Sequence, residues 1–316
     1  MKKRLVILAA LVTLILSGCA KPQTAWITDL DAAKAQSTKT HKDLLIVFTG
    51  SDWNDPSKEL IANIFTPDFF KKGTKNYVMC NLDIVQDKTL LDEATIEKNF
   101  GAATTYGVTG LPFVVLQTPE GDMYGKTTAT DETGATDAKF KTADSMFEHL
   151  ASFKDARKKL VDMKKAIKSA KGSDRATKID TFIEALDQTQ REQYSSFIRE
   201  VPALDPENKT GLVGKYTLQI AYLDSIELYK TGKLTEAADC FVKAVDGNAL
   251  DGAQKQEALY MTAYLSAMSG TVDNAKVIGY LEQAIAADPQ NPGVTQLQNT
   301  IEQIKKAPVN PPAASN

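Results

Sequence analysis

Two positions in this chain have the spacing of a thiol pair without the thiols. Asn54 and Ser57 stand in Trp53-Asn54-Asp55-Pro56-Ser57, just behind the apolar run Leu44–Thr49. Cysteines at both would give a reactive thiolate at a helix start and a resolving thiol one turn later, the arrangement that exchanges disulfides. Neither residue can do that chemistry. An amide does not attack a disulfide, and a serine hydroxyl is a weak nucleophile without an adjacent base. The two histidines, His41 and His149, are not close to Ser57 in sequence, so no Ser-His pair is suggested. Asn54 and Asp55 instead suit the start of a helix, where a side-chain oxygen accepts backbone N–H groups, and Pro56 suits its first turn.

The three cysteines are far apart. Cys80 falls in the apolar run Tyr77–Ile84, expected as a buried strand, where a thiol is inert. Cys240, between Asp239 and Phe241, is expected to pack in a helical core as a small hydrophobe. With two histidines no zinc-ligand spacing can be assembled, and no metal or cofactor is called for. Cys19 has a different setting. Lys2, Lys3 and Arg4 precede the apolar stretch Leu5–Leu16, which is shorter than the roughly 20 residues of a spanning helix. Residues 1–18 therefore read as an export signal. Its end, Leu16-Ser17-Gly18-Cys19, resembles the lipobox of bacterial lipoproteins. The resemblance implies that Cys19 becomes the lipidated first residue of the mature chain. Several acyl chains on it would anchor the protein stably, with 19–25 as tether. Ala20 behind it implies an outer-membrane position facing the periplasm.

The elements that would position Asn54 and Ser57 follow from periodicity. Trp26–Lys42 reads as a helix through Trp26, Leu30 and Ala33. Leu44–Thr49 and Tyr77–Ile84 read as strands, with helical patterns at Lys58–Phe65 and, after a Thr66 cap and Pro67, a second short helix. Leu90–Ala103 is helical. Phe113–Gln117 and Met123–Lys126 form a hairpin about Thr118–Asp122, and a helix begins near Ala143. The order implies a mixed sheet with helices on both faces.

Three stretches in this half resemble the thioredoxin family. Phe48-Thr49-Gly50-Ser51-Asp52-Trp53-Asn54-Asp55-Pro56-Ser57-Lys58 parallels the family's Trp-Cys-Gly-Pro-Cys segment. Tyr106-Gly107-Val108-Thr109-Gly110-Leu111-Pro112-Phe113 puts Pro112 at the family's cis-proline. Asn81-Leu82-Asp83 ends the second strand as the family's valine-aspartate stretch does. The resemblance implies an α/β thioredoxin-like fold over 26–154, with the attacking thiol replaced by Asn54 and the resolving one by Ser57. It also implies a groove at Leu111 and Pro112, next to Trp53, able to pair with an extended peptide.

Beyond about Asp155 strand signals stop. Residues 155–210 read as a helical connector and 211–306 as an all-α repeat domain, with a Pro-rich, disordered tail over 307–316. Gly232, Ala237, Phe241 and Ala244 are echoed by Gly270, Ala275, Leu281, Ala284 and Pro289. This resembles tetratricopeptide repeats, with a step somewhat longer than the usual roughly 34 residues and a slip in the second unit.

Composition is that of a globular protein, 43% hydrophobic and 24% charged. The formal net charge is −3 and becomes more negative without the basic leader. This excludes a nucleic-acid partner, which needs a basic surface. The expected function is a lipid-anchored, redox-inactive envelope module that binds a protein or peptide. The alternatives are a thiol-disulfide oxidoreductase or its accessory, and a purely structural spacer.

Overall fold

The computed structural model describes residues 26–306. The export signal, Cys19, the tether and the Pro-rich tail lie outside the described residues. Contacts divide the chain into two units, with the division between Lys154 and Asp155.

The first unit runs α1 (Leu30–Thr40), β1 (Asp43–Thr49), α2 (Asp55–Glu59), α3 (Pro67–Gly73), β2 (Tyr77–Asp83), α4 (Glu93–Thr105), β3 (Phe113–Gln117), β4 (Met123–Thr128) and α5 (Ala143–Ala151). The sheet order is β2-β1-β3-β4. β1 and β2 are parallel, as two strands joined through helices must be. β3 lies antiparallel to β1, and β4 antiparallel to β3. Because both faces are covered, β1 is an unbroken apolar run rather than an alternating one. Leu44, Ile46 and Phe48 point into a cluster with Cys80, Leu82, Tyr106 and Val115. Leu45 and Val47 alternate to the opposite face and are equally buried. This is a thioredoxin-like unit with a mixed sheet.

Two helical expectations shift. The helix expected from Trp26 starts only at Leu30, capped by Asp29, whose carboxylate accepts the Ala32 N–H at 2.8 Å. Ile27 instead joins the sheet edge as a parallel bridge to Cys80, with Ile27 N–H to Met79 O at 3.1 Å and Asn81 N–H to Ile27 O at 3.0 Å. Trp26 packs its ring against Phe65, Phe69 and Phe70. Those partners are distant in sequence, so the helical spacing of Trp26 and Leu30 was coincidence. The helix expected at Leu90 starts at Glu93, where Asp92 caps the Thr95 N–H at 3.0 Å. α2 continues into a π-helical turn over Leu60–Ile64 that ends where the Phe65 N–H meets Leu60 O at 3.0 Å.

The second unit is all helical: α6 (Lys154–Ser169), α7 (Gly172–Glu184), α8 (Gln188–Arg191), α9 (Ser195–Leu204), α10 (Val213–Lys230), α11 (Leu234–Asp246), α12 (Gly252–Ser269), α13 (Asn274–Ala287) and α14 (Val294–Lys306). From α10 onward each helix packs on the next. Some positions of this unit have matching local geometry. Gly232 and Gly270 both take left-handed backbone after a long helix, at φ 75° and 66°. A Cβ on Gly214 would lie 2.7 Å from Ala249 O, and one on Gly252 would lie 2.6 Å from Ala287 O, the same relation one unit later. Helix α11 buries Ala237, Phe241 and Ala244, and α13 buries Val277, Leu281 and Ala284 at identical spacing. So the counterpart of Ala237 is Val277, not Ala275, which is exposed. The slip sits in the longer turn after Gly270.

Both close approaches are to backbone, which cannot rotate away. Gly252→Ala is expected to destabilise the second unit by about 1–3 kcal/mol through overpacking. Urea denaturation followed by circular dichroism would read it, and an unchanged midpoint would refute the close approach.

Candidate functional site

The loop between β1 and α2 is built from hydrogen bonds that consume its polar groups. Asn54 is the N-cap of α2 with extended backbone, and Pro56 occupies the first turn. Asn54 Oδ1 accepts the Ser57 N–H at 2.9 Å and the Ser57 Oγ–H at 2.7 Å. Ser57 is fully buried, and its Oγ accepts the Gly50 N–H at 3.0 Å. The Asn54 N–H closes the turn on Gly50 O at 2.9 Å. The two side chains at thiol-pair spacing therefore touch each other and hold the loop shut on the end of β1. Asp55 is solvent-exposed beside Lys58, with which it pairs at 3.0 Å.

Trp53 is fixed at its polar end, where Nε1–H donates to Ile84 O at 2.7 Å, while the residue stays 40% exposed. Gly50 is required beneath it, since a Cβ there would lie 2.8 Å from the indole. Asp52 anchors the loop after β2 by accepting the N–H groups of Gln86 at 3.0 Å and Asp87 at 2.7 Å.

Under the loop lies a carboxylate whose role the sequence did not disclose. Asp83 Oδ1 accepts the Ser51 N–H at 2.9 Å and the Thr49 Oγ1–H at 3.0 Å, and Oδ2 accepts the Ser51 Oγ–H. Asn81 Nδ2 donates to Val47 O and to Thr49 Oγ1, both at 3.1 Å. Asn99 ties the backbone of Asp83 to α4 at 2.9 Å. The motif Asn81-Leu82-Asp83 was visible, but its work depends on the parallel register that sets Thr49 opposite Asp83.

The Leu111-Pro112 peptide bond is cis. Pro112 is buried and its carbonyl accepts the Ala129 N–H at 2.9 Å, while Leu111 is partly buried against the first core cluster. A cavity of about 580 Å3 opens beside α2, lined by Asp55, Pro56 and Glu59 together with Thr136, Phe140 and Lys141. Thr136 Oγ1 donates to Glu59 across it at 2.5 Å.

Cys80 and Cys240 are free thiols in separate units. Cys80 is fully buried, and burial pushes its thiol up to about 12, with the charge of Asp29 adding to the shift. Cys240 departs from the core placement expected of it. It sits half-buried at the margin of the second unit's cluster, with Sγ on Glu236 O at 3.5 Å. Burial, then the carboxylate of Asp224, raises its thiol as well. His149 packs edge-on between Phe140 and Phe153, and burial holds its imidazole below the usual range. His41 is the exposed, left-handed cap of α1. Among the described residues no group of three or more His, Cys, Asp or Glu is placed to hold a metal ion. No described helix is long and apolar enough to cross a membrane.

Sheet order, strand-loop-helix junction and cis-proline together define a thioredoxin-like domain followed by a helical one. Comparison with known proteins agrees. A family profile described as thioredoxin-like matches residues 25–119, and one described as an uncharacterised protein C-terminal domain matches residues 212–310. Over nearly its whole length the chain is similar to an uncharacterised protein of Treponema pallidum (strain Nichols), 28% identical over 290 residues, 92% of each chain. It is also similar to the thioredoxin-related protein DsbJ of Chlamydia pneumoniae, 23% identical over 112 residues, 35% of this chain and 32% of that one. Among solved structures it matches a DsbH oxidoreductase at 27% identity, covering 33% of this chain and 72% of the other, with a TM-score of 0.30.

Proposed function

We propose that this protein is a lipid-anchored module of the bacterial envelope that binds other proteins and performs no thiol chemistry of its own. The observation that carries the reading is the Asn54–Ser57 pair. The loop that holds reactive sulfurs in thioredoxins here holds an amide and a hydroxyl bonded to each other at 2.7 Å. That contact stabilises the helix start and leaves no nucleophile. Cys80, sealed in the sheet, cannot stand in: with its thiol near 12 the thiolate is scarce at any physiological pH. Similarity to a thioredoxin-related Dsb protein supports a role beside thiol-disulfide exchange, as an accessory that engages the same clients. The helix hairpins of α10–α13, read as tetratricopeptide-like, offer the partner surface. The sequence around Cys19 supports the anchor and an outer-membrane, periplasm-facing position.

The test combines capture with thiol chemistry. The chain is expected to capture the same envelope partners with and without reductant, and equally when Cys80 and Cys240 are replaced by Ser. It is expected to show no insulin reduction above background. With a thiol reagent, native protein should label Cys240 slowly and Cys80 only on unfolding. Partners lost with reductant or with the serine variant would mean thiol chemistry persists elsewhere in the chain.

A further inference from the structure

Charge is distributed unevenly along this chain. Residues 154–171 hold eight basic side chains against only Asp155 and Asp162, in a chain whose formal net charge is −3. Helix α6 carries most of them and buries little, through Leu160 and Ile167. Its open side is ordered. Lys154, Lys158, Val161, Lys165 and Lys168 follow at steps of four, three, four and three, which sets them in one stripe along the helix. Every residue of the stripe is exposed, Val161 at its middle by 38%. Asp155 and Asp162, seven residues apart, share one flank of it, and Lys158 pairs with Asp162 at 2.6 Å. Lys154, Lys165 and Lys168 form no ion pair among the described residues. Lys154 and Lys158, and Lys165 and Lys168, are like-charged neighbours that repel unless anions lie over them.

We propose that this stripe docks on the anionic headgroups of a phospholipid bilayer. Charge complementarity favours that occupant. From Lys154 to Lys168 the stripe runs about 21 Å along the helix, a straight row of cations open to solvent. The cations are lysines, which are flexible point charges. Arginine's planar fork would instead grip one phosphate at fixed geometry. Flexible charges suit a plane of headgroups that are themselves mobile. The lysine stems and Val161 add apolar surface for the boundary between headgroups and acyl chains. Nucleic acid fits this stripe less well, because α6 has no aromatic residue on which bases could stack. The proposal deepens the envelope reading and rests on it, since a lipid on Cys19 is what keeps the chain within reach of a bilayer. An acyl anchor and a polybasic patch are two separate membrane signals. The first attaches the chain, and the second lays α6 against the membrane surface.

The test is co-sedimentation of residues 20–316, which carry neither the leader nor an acyl group, with lipid vesicles. Vesicles of equal parts phosphatidylcholine and phosphatidylglycerol are compared with phosphatidylcholine alone. Binding is expected to be at least about tenfold stronger to the mixed vesicles. It is expected to vanish in about 1 M salt, where charges are screened within about 3 Å. A lysine at an anionic surface is worth about fivefold in partitioning, so Lys158→Ala, Lys165→Ala and Lys168→Ala together should weaken binding about a hundredfold. The same three positions changed to Arg keep their charge and should bind within about twofold of the parent. Circular dichroism checks that both variants fold. Equal binding to the two kinds of vesicle overturns the proposal, and so does a triple-alanine chain that binds like the parent. Tighter binding to duplex DNA than to the mixed vesicles also overturns it, because that assigns the stripe to nucleic acid. The anchor reading fails on a different result. If the full-length chain takes up no labelled fatty acid in cells while residues 20–316 still bind the mixed vesicles, the stripe docks and Cys19 is not the anchor.

Discussion

A chain carrying Asn54→Cys and Ser57→Cys together is expected to reduce insulin in the presence of a small dithiol, at least about tenfold above the parent's background. The geometry prepares this gain. The side chains at 54 and 57 already touch, Asn54 Oδ1 to Ser57 Oγ at 2.7 Å, so two sulfurs there need little backbone movement to bond. The Ser57 N–H that now serves the Asn54 cap would point at the sulfur of residue 54 and favour its thiolate. Such placement takes a thiol from about 8.5 toward about 7, which raises the thiolate fraction at pH 7 from roughly 3% to roughly half. A single Asn54→Cys chain should therefore react with iodoacetamide about tenfold faster than Cys240, whose thiol is held above its ordinary value. The second sulfur would sit where Ser57 is fully buried, protected until the first has formed a mixed disulfide. If the double variant keeps its melting temperature and shows no reductase activity, the frame differs from a working thioredoxin in more than its two sulfurs. The reading that only the absence of two sulfurs separates this loop from a working one would then fall.

How far the sequence discloses this arrangement depends on how local each feature is. The strand β1 was legible because burial on both faces produces an unbroken apolar run. The caps at Asn54 and Thr66 were legible because a cap is written within four residues. Pro112 was found through its neighbours and is indeed preceded by a cis bond. Features that join distant segments were not legible. Ile27 looks helical until β2 presents an open edge to it. Val277 cannot be seen as the counterpart of Ala237 until the turn after Gly270 is measured. Cys240 reads as core beside Phe241, yet successive helical residues point about 100° apart. Phe241 is fully buried and Cys240 lies at the margin. The polar network under the loop is the largest omission, and it is wholly non-local. Thr49, Ser51, Asn81 and Asp83 become neighbours only when β1 and β2 pair.

That network carries the second large expectation. Asp83→Ala is expected to cost the first unit roughly 2–4 kcal/mol, more than either Asn54→Ala or Asp52→Ala. Hydrogen bonds to a charged group contribute about 1.5–3 kcal/mol, and donors left unmet when buried lose more than the bond itself. Asp83 receives three, from the Ser51 N–H, the Ser51 hydroxyl and the Thr49 hydroxyl, and Thr49 is fully buried. Asn54→Ala removes a cap, a loss of about 0.5–2 kcal/mol, but the Ser57 hydroxyl can still turn within its pocket. Asp83→Asn should recover part of the loss, because its carbonyl oxygen still accepts two of the three donors. Chemical denaturation of the four variants would rank them. The ranking bears on function as well as stability. A loop held mainly by Asp83 stays shaped whatever stands at 54 and 57. If Asp83→Ala proves no worse than Asn54→Ala, the loop is held by its cap alone. The residues at 54 and 57 would then set the loop's shape as well as its chemistry.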